Sequence, residues 1–126
     1  MMKLPSRYKT FVSKDFYTNQ KLLCIDLQKS FGWKISYEYV SGGEIDYKWV
    51  GEEELYINPL DYKIVTYQES CIVEKVLEYM KNGSPKLPEV GIYKNTLFIQ
   101  NGNHRLAAAI ILEKNIWVNA TILDIE

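Results

Sequence analysis

From Glu54 onward the apolar residues change period repeatedly, and that succession admits few folds. Leu55 to Ile57 reads as a short strand leaving through Asn58-Pro59-Leu60-Asp61. A helix is expected from about Gln68, because Ile72, Val73, Val76, Leu77 and Met80 share one helical face and Asn82-Gly83 supplies a left-handed stop. Val90 to Tyr93 and Thr96 to Gln100 read as two strands around Lys94-Asn95. A second helix is expected from near His104 to about Lys114, with Ala107 and Ala109 letting it lie close to its neighbours. Ile116, Val118, Ala120 and Ile122 then return as a strand. Strands and helices interleaved in this way define an α+β domain.

The first 53 residues read differently. Ser13 can cap a helix from about Lys14 to Phe31, in which Leu23, Leu27 and Phe31 recur at helical spacing before Gly32. Period two follows, with Ile35, Tyr37 and Tyr39 in one run and Ile45, Tyr47 and Trp49 in another, joined as a β-hairpin through Ser41-Gly42-Gly43-Glu44. One face of that hairpin would carry Tyr37, Tyr39, Tyr47 and Trp49, which suits core packing and also a partner surface. The expected organisation is a single domain, 1–126, in which an N-terminal helix and aromatic hairpin (1–53) precede the α+β core (54–126).

Composition narrows the function classes. The chain has 126 residues, 47% hydrophobic and 25% charged, with a net charge of -1. A folded body of this size buries roughly two thirds of its unfolded surface without a disulfide or metal. No overall basic field draws it onto duplex DNA or an anionic membrane. Lys3, Arg7, Lys9 and Lys14, interleaved with Tyr8, Phe11 and Phe16, could contact phosphate, but a solvated arm explains them as well and is favoured. Cys24 and Cys71 stand far apart and there is one histidine, so neither zinc-ligand spacing nor a Cys-x-x-Cys pair exists. Met1-Met2-Lys3 is followed by no apolar signal region, and no stretch approaches the ~20 apolar residues of a membrane span. A cytoplasmic protein with no membrane partner is expected.

Gln100-Asn101-Gly102-Asn103-His104-Arg105 lies between an apolar strand and an apolar helix, where the chain turns and presents backbone N–H groups. The first turn of a helix has up to four unpaired donors and about half a positive charge, so an anion is favoured there. Arg105 adds a fork for two phosphate oxygens and His104 a donor whose charge changes near neutral pH. Two cations at a helix start oppose the dipole by some tenths of a kcal/mol up to about one, a cost that an anion relieves. Phosphate fits these demands.

This turn in its setting, Gly-Asn-His-Arg-Leu-Ala-Ala-Ala followed by the strand from Ile116, resembles the closing half of the ParB/sulfiredoxin superfamily. The earlier Lys81-Asn82-Gly83 and Leu87-Pro88-Glu89-Val90 resemble its approach, so the likeness covers about Leu55 to Asp124. It implies a mixed sheet with packed helices and a site for ATP, ADP or CTP, held at Gly102, Asn103, His104 and Arg105. Family members include sulfinic-acid reductases, a free-serine kinase, chromosome-partition CTPases and nuclease-like domains.

Three departures shape the expected activity. Asn103 stands where sulfiredoxins carry their catalytic cysteine, which argues against sulfinic-acid reduction. Asn101 replaces an aspartate present in many members and takes away a charge for Mg2+, whose involvement is left open. The serine kinases use a glutamate before the first conserved helix, and here only Glu69 and Asp61 offer nearby carboxylates; helix capping or surface exposure is the favoured account of both. The leading expectation is a nucleotide-phosphate-binding domain, either a phosphotransferase or a nucleotide hydrolase. A catalytically degenerate protein-binding module using the aromatic hairpin is the second, and ParB-type DNA binding or nuclease action, disfavoured by the pI of 5.9, the third.

Overall fold

A computed structural model describes residues 3–14, 21–37 and 47–125. In chain order, β1 (Thr10–Lys14) and β2 (Lys21–Asp26) lead into a short helix, α1 (Leu27–Phe31). Then come β3 (Lys34–Ile35), β4 (Tyr47–Ile57), a 3-10 turn (Pro59–Asp61) and β5 (Lys63–Thr66). The chain continues through β6 (Ser70–Ile72), α2 (Val73–Asn82), β7 (Glu89–Tyr93), β8 (Thr96–Asn101), α3 (Asn103–Ile111) and β9 (Ile116–Ile125). The expected α+β class holds, and the sheet is mixed. Among the described residues no helix is long and apolar enough to cross a membrane.

Six strands form the larger sheet in the order β3-β5-β8-β7-β9-β4. β3, β5 and β8 run parallel, β7 is antiparallel to β8 and parallel to β9, and β4 closes the far edge antiparallel to β9. Alternation along the strands sends Ile64, Leu97, Ile99, Val90, Val118 and Ala120 to one face, where they join Val76 of α2 and Leu106 of α3 in the main core. Val65, Phe98 and Leu123, one residue out of step with that set, make a smaller cluster on the other face. Within the main core, Ile25 and Leu27 are completely buried, so residues before 53 contribute directly to it.

The smaller sheet, in the order β1-β2-β6, overturns the helix expected from Lys14 to Phe31. Thr10-Phe11-Val12 and Leu22 to Ile25 pair as antiparallel strands, with Phe11 opposite Cys24. Only the last turn of that helix is found, with Leu27 and Phe31 in α1; Leu23 belongs to β2 and is exposed, whereas Cys24 and Ile25 beside it are buried. Ser13, expected as the cap, instead holds its hydroxyl 3.1 Å from the Cys24 thiol across the two strands. Asp26 caps the short α1 by accepting from the backbone N–H of Lys29 at 2.9 Å, and Gly32 ends it at φ 70°.

The expected aromatic hairpin also changes. Ile35 pairs in parallel with Thr66, and the run from Tyr47 pairs with β9, so the two arms lie on opposite edges of the larger sheet. Each arm gains a longer-range partner that a local hairpin would have displaced. Tyr39 and the Ser41-Gly42-Gly43-Glu44 turn lie outside the described residues. The strand expected from Leu55 to Ile57 is the last part of the eleven-residue β4.

Later boundaries move less. The first core helix starts at Val73 rather than near Gln68, because Ser70–Ile72 are drawn into β6 beside β2. Gly83 ends it at φ 68°. The second ends at Ile111, short of Lys114. β7 and β8 meet around Lys94 and Asn95, with Lys94 at φ 52°, as two facing strands of this spacing require.

Candidate functional site

β8 delivers the chain to Gly102, which opens α3 at φ 106° and ψ 28°. A side chain cannot stand there: a Cβ would lie 2.7 Å from Cβ and 2.9 Å from Cα of Pro88. Glycine thus lets the turn pass directly against the segment leading into β7. The first helical bond runs from the Leu106 N–H to the Gly102 carbonyl at 3.0 Å. Among the described residues no side chain caps this start, and no acidic residue lies in the first turn. The leading N–H groups of α3 are therefore left without a side-chain acceptor among the described residues, at the positive end of its dipole.

The side chains of the turn divide their work. Asn103 is 3% exposed and points inward, accepting from the Thr66 hydroxyl at 2.7 Å and donating to Gln68 Oε1 at 3.4 Å. The Thr66 hydroxyl in turn accepts from the Gln68 N–H at 3.1 Å, tying the turn to the exit of β5. His104 Nε2 accepts from the Ile72 N–H at 3.1 Å. Burial, then the neighbouring charges of Lys75 and Arg105, lower the His104 pKa from its ordinary 6.5 to about 4. At neutral pH it is an uncharged imidazole, so the charge switch near pH 7 expected of it is absent, although the ring's other nitrogen remains a donor in that tautomer.

Arg105 is 9% exposed, and its Nη1 donates to the Lys86 carbonyl at 2.7 Å. Among the described residues it forms no ion pair with a carboxylate. A largely buried guanidinium joined among the described residues only to a backbone carbonyl has no carboxylate to balance it there and most of its donors left for something else.

These groups open into a cleft of about 400 Å³. One wall is Asn101 to Arg105; Tyr67 and Gln68 come from the link between β5 and β6, and Lys75, Glu78 and Tyr79 from α2. Lys75 and Arg105 supply two positive charges and Glu78 one negative, so among the described lining the balance favours an anion. Gly102, Asn103, His104 and Arg105 are thus gathered at one cleft, mainly through backbone groups and Arg105.

The other candidate residues lie elsewhere. Glu69 is exposed outside the cleft lining, and its carboxylate accepts from the Tyr37 hydroxyl at 3.0 Å. Asp61 is exposed in the 3-10 turn. Tyr37 follows β3 at one sheet edge and Trp49 lies in β4 at the other, so these two do not sit together; the Tyr47 side chain lies outside the described residues. Sequence reasoning missed Lys75 and Glu78, which appear there only as the polar side of an amphipathic helix. Their three-residue separation places both on one side of α2, but only the packing of α2 beside α3 turns that side toward Gly102.

Among the described residues no group of three or more His, Cys, Asp or Glu side chains could hold a metal ion. No family model, curated protein or solved structure matches the chain.

Proposed function

We propose that this chain is a ParB/sulfiredoxin-like nucleotide-phosphate-binding domain, with the phosphate chain of ATP, ADP or CTP seated at the start of α3. The observation that carries this reading is Arg105: buried, without a carboxylate partner among the described residues, and bordering a cleft beside an uncapped helix start. Phosphate oxygens would accept from the first N–H groups of α3 and from the free edge of the guanidinium, with Lys75 completing the charge. Each charge-assisted bond contributes roughly 1.5–3 kcal/mol before the entropy of binding is subtracted, so three or four support micromolar affinity.

If the domain also transfers or hydrolyses phosphate, Glu78 takes the place of Glu69 and Asp61 as the carboxylate for the task, because it lies on the cleft wall. It can accept a proton from the attacking hydroxyl or water, or hold a phosphate-bound Mg2+, which commonly uses only one or two protein carboxylates.

The test is calorimetric titration of the wild type and Arg105→Ala with ATP, ADP and CTP, with and without Mg2+, at fixed ionic strength. Saturable binding that weakens at least tenfold in a folded Arg105→Ala variant supports the reading; no binding of any nucleotide to the wild type sinks it. In that event the protein-binding reading takes precedence, through Trp49, which is 62% exposed on the edge strand β4.

A further inference from the structure

Beyond Arg105 the phosphate cleft has a neighbour. A second cavity of about 490 Å³ lies between the C-terminal end of α2, the segment 83–88, α3 and the beginning of β9. Arg105 and Tyr79 line both cavities, so they form the shared wall.

The floor is apolar and shallow in side chains. Ala108 and Ala109 leave space over α3, and Met80, Leu87, Leu112 and Ile116 surround it. A volume of this size falls in the range of sites for small organic molecules. Tyr56 and Trp117 are also in its lining and face each other across β4 and β9 with ring centroids 5.2 Å apart and planes at 39°. They are 57% and 51% exposed, so their faces are available for stacking.

Charge around this cavity is one-sided. Lys81, Lys86, Arg105 and Lys114 line it, and no aspartate or glutamate is among the described lining residues. Lys81 has a local reason to be there, since it occupies the last turn of α2 and offsets the dipole. Lys114 has the same reason, since it follows the end of α3 with its N–H on the Ala109 carbonyl at 3.0 Å, whereas Lys86 lies outside the helices and has none. A chain of net charge -1 has therefore concentrated positive charge around an apolar slot with an aromatic pair in its lining.

We infer that this second cavity holds the planar ring system of the ligand whose phosphates occupy the first, with the Tyr56–Trp117 pair as its stacking platform and Arg105 at the junction. This rests on the phosphate reading. The ligand is then a nucleotide bound across the Arg105 wall with its α-phosphate at the crossing, and the lysines around the slot act on that phosphate. Trp117 and Ala109 determine affinity for the nucleoside, whereas Gly102 and Arg105 determine affinity for phosphate.

Calorimetry with inorganic triphosphate, ATP and CTP separates the two parts. The expected result is that at least one nucleotide binds the wild type tenfold or more tighter than triphosphate. Trp117→Ala should reduce that advantage to twofold or less while leaving triphosphate affinity unchanged, and Ala109→Leu, which fills the floor, should do the same. Equal affinities for triphosphate and both nucleotides, or equal losses for all three ligands in a folded Trp117→Ala, would overturn the inference and leave the phosphate site standing. Failure of triphosphate and nucleotides alike to bind the wild type would remove both.

Discussion

The backbone N–H of Ile72 donates to His104 Nε2 across 3.1 Å, joining the entry of α2 to the first turn of α3. This bond requires an unprotonated Nε2. With the folded pKa near 4 and the ordinary value 6.5, the unfolded chain binds more protons than the native one between these limits. Stability therefore rises with pH in that window, is complete above about pH 6.5, and falls as pH drops toward 4. Chemical denaturation at pH 7, 5.5 and 4.5 should show this loss. His104→Gln, which retains an acceptor without a titrating group, should have a flatter profile; an identical slope in both proteins would refute the assignment.

Two glycines should respond differently to alanine. At Gly102 the added Cβ meets the Pro88 ring and its backbone at 2.7 and 2.9 Å, and φ is 106°, so neither side can yield cheaply. A loss of about 1–3 kcal/mol from the backbone alone is expected, with the steric conflict in addition. At Gly91 the nearest atom is Leu123 Cδ1 at 2.9 Å, the end of a side chain that can rotate. Urea unfolding should rank Gly102→Ala well below Gly91→Ala. The reverse order would show that Pro88 moves aside more readily than Leu123.

The Thr66–Asn103 bond joins β5 to α3 within a buried site. Asn103→Ala leaves the Thr66 hydroxyl without this acceptor, and Thr66→Val removes the donor; each should cost about 1–3 kcal/mol. Because the groups act together, the double variant should cost less than the sum, with a coupling of about 0.5–3 kcal/mol in a double-mutant cycle. Strict additivity would mean that the 2.7 Å contact contributes nothing as a pair.

The contiguous part of this site was readable because everything it needs lies in six residues: an apolar strand, a glycine and the start of an apolar helix. Its remaining wall was not. Lys75 and Glu78 approach from α2, and a polar helix face gives no sign of what it will face. The N-terminal half was misread for a related reason. Leu23, Leu27 and Phe31 mimic a helix longer than α1, while the pairing of β2 with β6 depends on residues more than forty positions away. β5 escaped notice because both of its faces are buried, Ile64 in the main core and Val65 in the smaller cluster, so no alternation marks it.

Arg105 carries a structural load as well as the proposed ligand role, and the two can be measured separately. Its bond to the Lys86 carbonyl anchors the segment 84–88 against α3, close to the Pro88 carbonyl that accepts from the Asn119 N–H at 2.8 Å. Arg105→Ala should therefore cost about 1.5–3 kcal/mol of stability and speed amide exchange in that segment. Arg105→Lys keeps the charge but loses the planar fork. It should recover part of the stability through a single bond to Lys86, yet bind triphosphate more weakly than the wild type because that bond fixes its one nitrogen in place and no second nitrogen reaches the anion. Equal triphosphate affinity in wild type and Arg105→Lys would mean that charge alone attracts the anion and that the fork serves only the fold.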